Sequence, residues 1–232
     1  MSEIVIVMPA LNEELAIPKV LDHIPRAAAA EVVVVDNGSS DNTAAVARNG
    51  GATVIYESRK GYGYACLKGI EYIMSKDAKT DIVVFLDADY SDYPEQISSL
   101  IKPIIEQDYD LVMGSRLLGQ RQKGAMPWHQ IVGDRIATAL INALYGTHYT
   151  DLGPFRAIKF NKLLGLRMQE KRFGWTAEMQ AKAAKQGLRY LEVPVRYRPR
   201  VGNSKISGTI KGTLAATYNI FTAVLKYRCA CE

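Results

Sequence analysis

Ile82-Val83-Val84-Phe85-Leu86-Asp87-Ala88-Asp89 is the stretch that decides the fold class. Five consecutive apolar residues, three of them β-branched, have the pattern of a short strand buried on both faces. Two carboxylates separated by one residue follow at the carboxyl end of that strand. The same arrangement recurs on either side. Ile4–Val7, Val32–Val35, Thr53–Ile55 and Leu111–Met113 read as further short buried strands. Helical stretches lie between them near Ile17–Ile24, Thr43–Asn49, Tyr62–Met74 and Pro94–Ile105, with Pro18 and Pro94 at helix starts, where a missing N–H is tolerated. Strand–helix alternation implies right-handed crossovers and a mostly parallel sheet, an α/β fold with helices flanking the sheet. Ligands of such sheets bind outside the carboxyl ends of the strands.

Those ends carry the polar residues. Strand one runs into Asn12-Glu13-Glu14, strand two into Asp36-Asn37-Gly38-Ser39-Ser40-Asp41, strand four into Asp87-Ala88-Asp89 and strand five into Gly114-Ser115-Arg116. Four strands delivering acids or a base to one sheet edge point to a site. In the second half, Trp128, Ile131, Val132, Ile136, Ala139, Leu140, Ala143 and Leu144 recur at helical spacing. Phe155–Ile158 reads as a strand, Trp175–Ala184 as a helix, and Leu188–Tyr197 as an edge strand interrupted by Pro194. A last stripe, Ile206, Ile210, Leu214, Tyr218, Phe221 and Leu225, reads as a C-terminal amphipathic helix. From Val193 to Cys231 there is no acid, and seven residues are Arg or Lys.

Composition narrows the class. With 232 residues, 48% hydrophobic and 23% charged, the chain can bury a real core and is not a disordered polymer. The formal net charge of +5 suits an anionic ligand or membrane surface, not nucleic-acid packaging. Three cysteines, Cys66, Cys229 and Cys231, exclude a disulfide framework. The opening Met1-Ser2-Glu3 lacks the basic flank of a signal peptide, and no apolar run reaches the ~20 residues that span a bilayer. The expectation is a cytoplasmic protein, at most peripheral to a membrane.

Each motif has a structural and a chemical reading. Asp87 and Asp89 could share a hard divalent cation, or Asp89 could cap the following helix. Asp36 through Asp41 could be a turn leading into the helix at Thr43, or Asp36 could accept hydrogen bonds from a base or ribose. Lys60-Gly61-Tyr62-Gly63 could bring backbone close to an anionic ligand at a helix start. It matches neither a P-loop nor a dinucleotide fingerprint, so an NTPase and a Rossmann dehydrogenase are rejected. Arg200-Val201-Gly202-Asn203-Ser204-Lys205 could be a solvated loop, or a basic clamp on phosphates. A nucleotidyltransferase would place a Gly-rich, Arg-containing loop after strand one, where this chain has Pro9–Glu14.

In order and spacing, these pieces resemble glycosyltransferase family two, within the GT-A fold, and most of all the polyprenyl-phosphate sugar synthases. The residues carrying the resemblance are Met8 through Glu13, Val35 through Asp41, Lys60 through Gly63, Asp87-Ala88-Asp89, Gly114-Ser115-Arg116, Asp151 through Arg156, and Arg200 through Lys205. The resemblance covers nearly the whole chain. It implies one glycosyltransferase domain: a nucleotide-sugar half (1–116), an acceptor half (117–205) and the C-terminal helix (206–232). It implies a UDP- or GDP-sugar donor and Mg²⁺ or Mn²⁺ held by Asp87 and Asp89. Pro9, Ala10, Leu11, Glu13, Asp36, Gly38, Lys60, Gly61, Asp87 and Ala88 would bind the nucleotide. Asp89, Arg116, Arg200 and Lys205 would act in catalysis, and Arg116 with Arg135 would hold an acceptor phosphate. Ser91 stands where relatives often have a Gln ligand, and Asn37 replaces the second acid of Asp-Asp-Gly-Ser.

The acceptor is read from a missing base. Hydroxyl acceptors need a general base, because a hydroxyl is protonated at neutral pH. Related hydroxyl-transferring enzymes carry Glu-Asp at a helix start, where this chain has Glu178-Met179. A phosphate is already anionic and needs only cations. The expectation is therefore an inverting enzyme acting on a polyprenyl phosphate. A hydroxyl acceptor, with Glu178 or Asp151 as base, and a catalytically inert nucleotide-sugar scaffold are the alternatives. The C-terminal stripe is expected to be core, a homodimer face or a contact with the headgroup region.

Overall fold

The computed structural model describes residues 2–76, 79–202 and 226–227. Lys205 and the stripe from Ile206 to Leu225, with the membrane or dimer roles expected of it, lie outside the described residues.

Seven strands form one sheet: β1 (Ile4–Ala10), β2 (Glu31–Asp36), β3 (Thr53–Tyr56), β4 (Ile82–Phe85), β5 (Leu111–Ser115), β6 (Arg156–Lys159) and β7 (Tyr190–Pro194). Their spatial order is β3-β2-β1-β4-β6-β5-β7. Pairing is parallel except around β6, which runs antiparallel to both β4 and β5. The sheet is thus mostly parallel, as the alternation predicts, and β7 with its Pro194 is an edge strand, β3 being the other.

The strands are short apolar runs because both sheet faces are covered. All seven residues of β1 are buried. Val5 and Val7 join one core cluster with α3 (Tyr62–Met74) and α7 (Trp175–Lys185). Ile4, Ile6 and Met8 join the other, with α1 (Ile17–His23) and α4 (Ile97–Gln107). The period-two alternation of the strand therefore serves two cores at once. Two elements differ from the sequence reading. The helix expected from Pro94 begins as a single 3₁₀ turn, Pro94–Gln96, before α4. A short helix, α6 (Phe160–Gly165), follows β6 where the pattern showed nothing. The remaining helices are α2 (Thr43–Asn49) and α5 (Trp128–Tyr145).

α5 also departs from expectation. Its buried residues are Asp134, Ala137, Thr138 and Ile141, whereas Trp128, Val132 and Ile136 of the apolar stripe face solvent. The helix is apolar on two sides, and the inner side is selected by Asp134, which pairs with a buried arginine.

Close packing of α3 on the sheet depends on Gly69. A Cβ there would stand 2.5 Å from Val7 Cγ1, in the middle of the core. Alanine is favoured over glycine in a helix by roughly 0.5–1 kcal/mol, but overpacking a core costs about 1–3 kcal/mol. Gly69→Ala is expected to destabilise the fold by about 1 kcal/mol net. The check is a lower urea midpoint at unchanged denaturant slope.

Candidate active site

At the carboxyl ends of β1, β2 and β4 lies a cavity of about 350 Å³. Its wall is built from Pro9, Ala10, Leu11 and Glu13 after β1, Asn37 after β2, and Asp87, Ala88 and Asp89 after β4. Lys60, Gly61, Tyr62 and Ala65, with Arg172 and Phe173, close one side, and Arg200 completes the lining.

The first two loops are tied to each other. Asn12 N–H donates to Ser39 Oγ at 2.9 Å, Glu13 N–H to Thr43 Oγ1 at 2.7 Å, and Ser40 N–H to Asn12 Oδ1 at 2.7 Å. Asp36 Oδ1 accepts from Ser39 N–H at 2.9 Å and closes a turn in which Gly38 adopts φ +80°. Asp36 and Gly38 support the cavity wall and do not line it. Their neighbour Asn37 does line it. Its Nδ2 donates to the carbonyls of Glu57 and Arg59 at 3.0 and 2.8 Å, and its Oδ1 accepts from Gly61 N–H at 2.8 Å. An amide is needed here, because a carboxylate has no proton to give two carbonyls.

The glycines of the 60–63 motif serve protein–protein approach within the chain. A Cβ on Gly61 would lie 2.3 Å from the Lys171 carbonyl, and one on Gly63 2.1 Å from the Glu170 carbonyl. Gly63 and Tyr64 N–H groups donate to the carbonyls of Arg172 and Lys171, each at 3.2 Å. The 170–173 loop thus sits directly on the start of α3 and delivers Arg172 and Phe173 to the cavity. Glu178, fully buried, anchors the same loop. Its two oxygens accept from Gln169 and Glu170 N–H at 2.8 and 2.6 Å, and Lys182 Nζ stands 2.8 Å away.

The acidic pair is asymmetric. Asp89 Oδ1 accepts from Ser91 N–H and Oγ–H at 2.9 and 2.6 Å, and its Oδ2 from Arg200 Nη2. Among the described residues, Asp87 Oδ1 is buried with no hydrogen-bond partner, as is the hydroxyl of Tyr62. Burial, and then the charge of Asp89, push the Asp87 carboxyl up to about 7. Asp92 is 1% exposed, with neither oxygen bonded among the described residues. Burial, then the charges of Asp87 and Asp89, raise its pKa well above the usual range. Among the described residues, no three His, Cys, Asp or Glu side chains gather as a ready metal cage.

The Asp89–Arg200 contact is held by a stack of arginines and tyrosines. Arg198 Cζ lies 3.3 Å from the Tyr90 ring centroid and 4.1 Å from that of Tyr93, and Arg196 stands 4.2 Å over Tyr93. Arg198 also donates through Nε to the Tyr90 carbonyl at 2.7 Å and through Nη2 to the Asp92 carbonyl at 3.1 Å. Tyr90 has φ +64°, a left-handed conformation that a bulky residue adopts only when its surroundings impose it. Val201 N–H completes the seam on the Asp89 carbonyl at 2.9 Å.

A family model described as glycosyl transferase family 2 matches residues 5–165, a span that holds every acid of this cavity. The chain belongs to glycosyl transferase family 2. It is 34% identical over 228 residues to an uncharacterised glycosyltransferase of Mycobacterium tuberculosis, covering 95% of this chain and 97% of the relative. It is 35% identical over 210 residues to a dolichyl-phosphate hexose transferase of Haloferax volcanii, covering 88% and 86%. Its fold is that of a crystallised glucosyl-3-phosphoglycerate synthase of M. tuberculosis bound to Mn²⁺ and UDP. That structure superimposes with a TM-score of 0.76 at 21% identity, over 100% of this chain and 81% of the other. The fold is therefore GT-A.

Against this frame, eight of the expected nucleotide residues line the glycosyltransferase cavity: Pro9, Ala10, Leu11, Glu13, Lys60, Gly61, Asp87 and Ala88. Arg116 and Arg135 do not. Arg116 is 4% exposed and gives three hydrogen bonds to Asp151, from N, Nε and Nη2 at 2.7, 2.9 and 2.6 Å, and one from Nη2 to Asp134 at 2.7 Å. Burial opposes the charge of Asp151, but Arg116 holds its carboxyl below the usual value, whereas burial pushes Asp134 up to about 7. The guanidinium expected to meet an acceptor phosphate is already matched by carboxylates. Arg135 is exposed on the outside of α5. Ser91, in the place of a third ligand, is a donor to Asp89. Asn37, Tyr62, Ala65, Arg172 and Phe173 were missing from the expected set. The signal for the last two was the run Lys171-Arg172-Phe173-Gly174 before α7, in which an exposed cationic pair adjoins an aromatic.

Asn37→Asp tests the loop tie. It replaces two donors with a carboxylate facing two carbonyls, at a cost of about 1–3 kcal/mol. The introduced acid should have a folded-state pKa above its unfolded value of roughly 3.9. Its folded state is then favoured at low pH and loses stability as pH rises. Denaturation should show a larger deficit from wild type near pH 7 than near about pH 4.5.

Proposed function

We propose that this chain is an inverting glycosyltransferase that moves a sugar from a UDP- or GDP-sugar to a polyprenyl or dolichyl phosphate. The observation carrying the reading is that, among the described residues, no carboxylate lines the cavity on the acceptor side. Among the described residues, the acids lining the cavity are Glu13, Asp87 and Asp89, all at the ends of β1 and β4. Glu178 is buried with both oxygens bonded, Met179 is buried beside it, and Asp151 is committed to Arg116. An acceptor that arrives ionised has no proton to give up. The dolichyl-phosphate hexose transferase among the relatives supports the same acceptor class, as does the UDP-N-acetylglucosamine–dolichyl-phosphate N-acetylglucosaminyltransferase of Methanococcus voltae.

In this reading Pro9, Ala10, Leu11 and Asn37 hold the base and ribose end of the donor. A phosphate oxygen of the acceptor attacks the anomeric carbon from the side opposite the leaving group. The carbon–oxygen bond to the nucleoside diphosphate breaks, and configuration inverts. Lys60, Arg172 and Arg200 are the cavity cations that would offset charge on the departing diphosphate. The orphaned Oδ1 of Asp87, raised in pKa beside Asp89, suits a hard divalent cation, so Asp87 and Asp89 would hold Mg²⁺ or Mn²⁺ with donor phosphates and water as further ligands. When bound, the cation would supply charge neutralisation at the diphosphate. Arg200, now on Asp89, is positioned to share that task. The reading places the chain at the cytoplasmic face of a membrane.

The test is transfer of labelled sugar from UDP- and GDP-sugars to a short-chain polyprenyl phosphate, the matching neutral polyprenol, and soluble sugar acceptors. Label is expected on the phosphate and not on the polyprenol. Transfer to hydroxyl acceptors alone would overturn the reading, and no transfer to any acceptor from a folded enzyme would favour a binding scaffold.

EDTA should abolish turnover, and Mg²⁺ or Mn²⁺ should restore it; full activity in EDTA would remove the metal from the account. Arg200→Ala should lower kcat by on the order of 10²–10³ with a smaller change in donor KM. A change in KM alone would limit Arg200 to ground-state binding.

A further inference from the structure

The outer face of α5 has an unusual composition for a solvated helix. Trp128 is 75% exposed, Val132 45% and Ile136 51%, at successive spacings of four on one side of the helix. Leu118, in the loop that leads into α5, is 52% exposed. Isolated exposed apolar residues mean little, but a contiguous patch marks a contact. The exposed charged residues on and just before the helix are cations. Arg121, Lys123 and Arg135 are exposed, and between Arg116 and Thr150 the sole acid is Asp134, which is buried against Arg116. An apolar stripe carrying a tryptophan, in a stretch from Arg116 to Thr150 with basic side chains and no exposed acid, complements an anionic bilayer surface in both polarity and charge.

The position of the patch matters for the chemistry. The loop before α5 is bonded to the segment carrying Arg200. Gln122 N–H donates to the Tyr197 carbonyl at 2.8 Å, and Tyr197 N–H to the Gln120 carbonyl at 2.9 Å. Gln122 Nε2 also reaches the Tyr93 hydroxyl at 2.9 Å. From the inner side, Asp134 ties α5 to Arg116. Residues 118–136 are thus tied to the segment that carries Arg200 into the cavity wall.

We infer that Leu118, Trp128, Val132 and Ile136, with Arg121, Lys123 and Arg135, form a docking face for an anionic lipid bilayer. This deepens the polyprenyl phosphate reading. Bilayer docking would bring the cavity to the depth at which a lipid-linked phosphate emerges.

The chain reports on itself. It has two tryptophans, of which Trp175 is 1% exposed and packed edge-on against Phe85 at 5.8 Å. A shift of emission on adding lipid would come from Trp128. The full chain would be titrated with vesicles of phosphatidylglycerol and phosphatidylcholine, and of phosphatidylcholine alone, both free of polyprenyl phosphate. Expected are a blue shift and co-sedimentation with the anionic vesicles only, and quenching by brominated acyl chains. The double variant Val132→Ser/Ile136→Ser should weaken partitioning on the order of tenfold, and Arg121→Glu/Lys123→Glu should do so in a salt-dependent way. Undiminished binding in both double variants, or no binding by wild type, would overturn the inference. So would a blue shift that grows with protein concentration alone and tracks dimer in ultracentrifugation, which would make the face a contact between copies. Emission already blue in dilute, lipid-free protein and unmoved by vesicles would mean that the chain covers the face itself, and would overturn it too. None of these failures touches the acceptor reading, which is tested separately with the short-chain phosphate.

Discussion

One buried guanidinium ties the end of β5 to the loop before β6 and to the inner face of α5. Arg116 leaves the end of β5 and meets Asp151, just ahead of β6, and Asp134 on the inner face of α5. All three groups are buried, so their attraction is set against a large desolvation cost, and the net gain of assembling them is small. Removing one is different: a buried charge left unmatched typically costs about 3–5 kcal/mol. The interaction therefore acts chiefly as a constraint. It selects which side of an apolar helix faces inward and fixes the chain segment that leads into β6. That arrangement determines where α5 and the loop before it lie relative to the cavity.

A second constraint works at the cavity itself. Next to the Asp89–Arg200 contact the backbone turns sharply at Tyr90. That turn is imposed from outside, by Arg198 stacking on the Tyr90 ring and bonding its carbonyl. The loop after β4 and the segment after β7 thus form one unit, though more than a hundred residues separate them in sequence. The 60–63 glycines do equivalent work on the opposite wall, where their missing side chains let residues 170–172 lie against α3.

The sequence made the sheet legible because buried parallel strands are written as unbroken apolar runs, and Ile82–Phe85 and Ile4–Ala10 are such runs. It made the acids at the strand ends legible because a strand end fixes where the next residues go. Partners chosen across long loops were not legible. Nothing in Gly114-Ser115-Arg116 says that the arginine turns inward to the carboxylates of Asp151 and Asp134. The amphipathic stripe of α5 was visible, but periodicity alone cannot say which of two apolar sides is buried. Asn37 looked like the loss of one charge; only the carbonyls of Glu57 and Arg59 show that its two amide protons are the point.

The antiparallel insertion of β6 bears on the order in which the chain can assemble. β4 and β5 are made early but are not neighbours; the slot between them is filled by Arg156–Lys159, some forty residues after β5 in the chain. Until that strand arrives, β4 presents an open hydrogen-bonding edge and β5 has no place in the sheet. Pairings of this separation are slow to form, and an unfilled apolar slot can be occupied by the wrong strand, including one from another chain. A growing polypeptide that has emerged only as far as Arg116 thus carries an incomplete sheet, and the nucleotide-facing half cannot be regarded as a module that matures ahead of the rest.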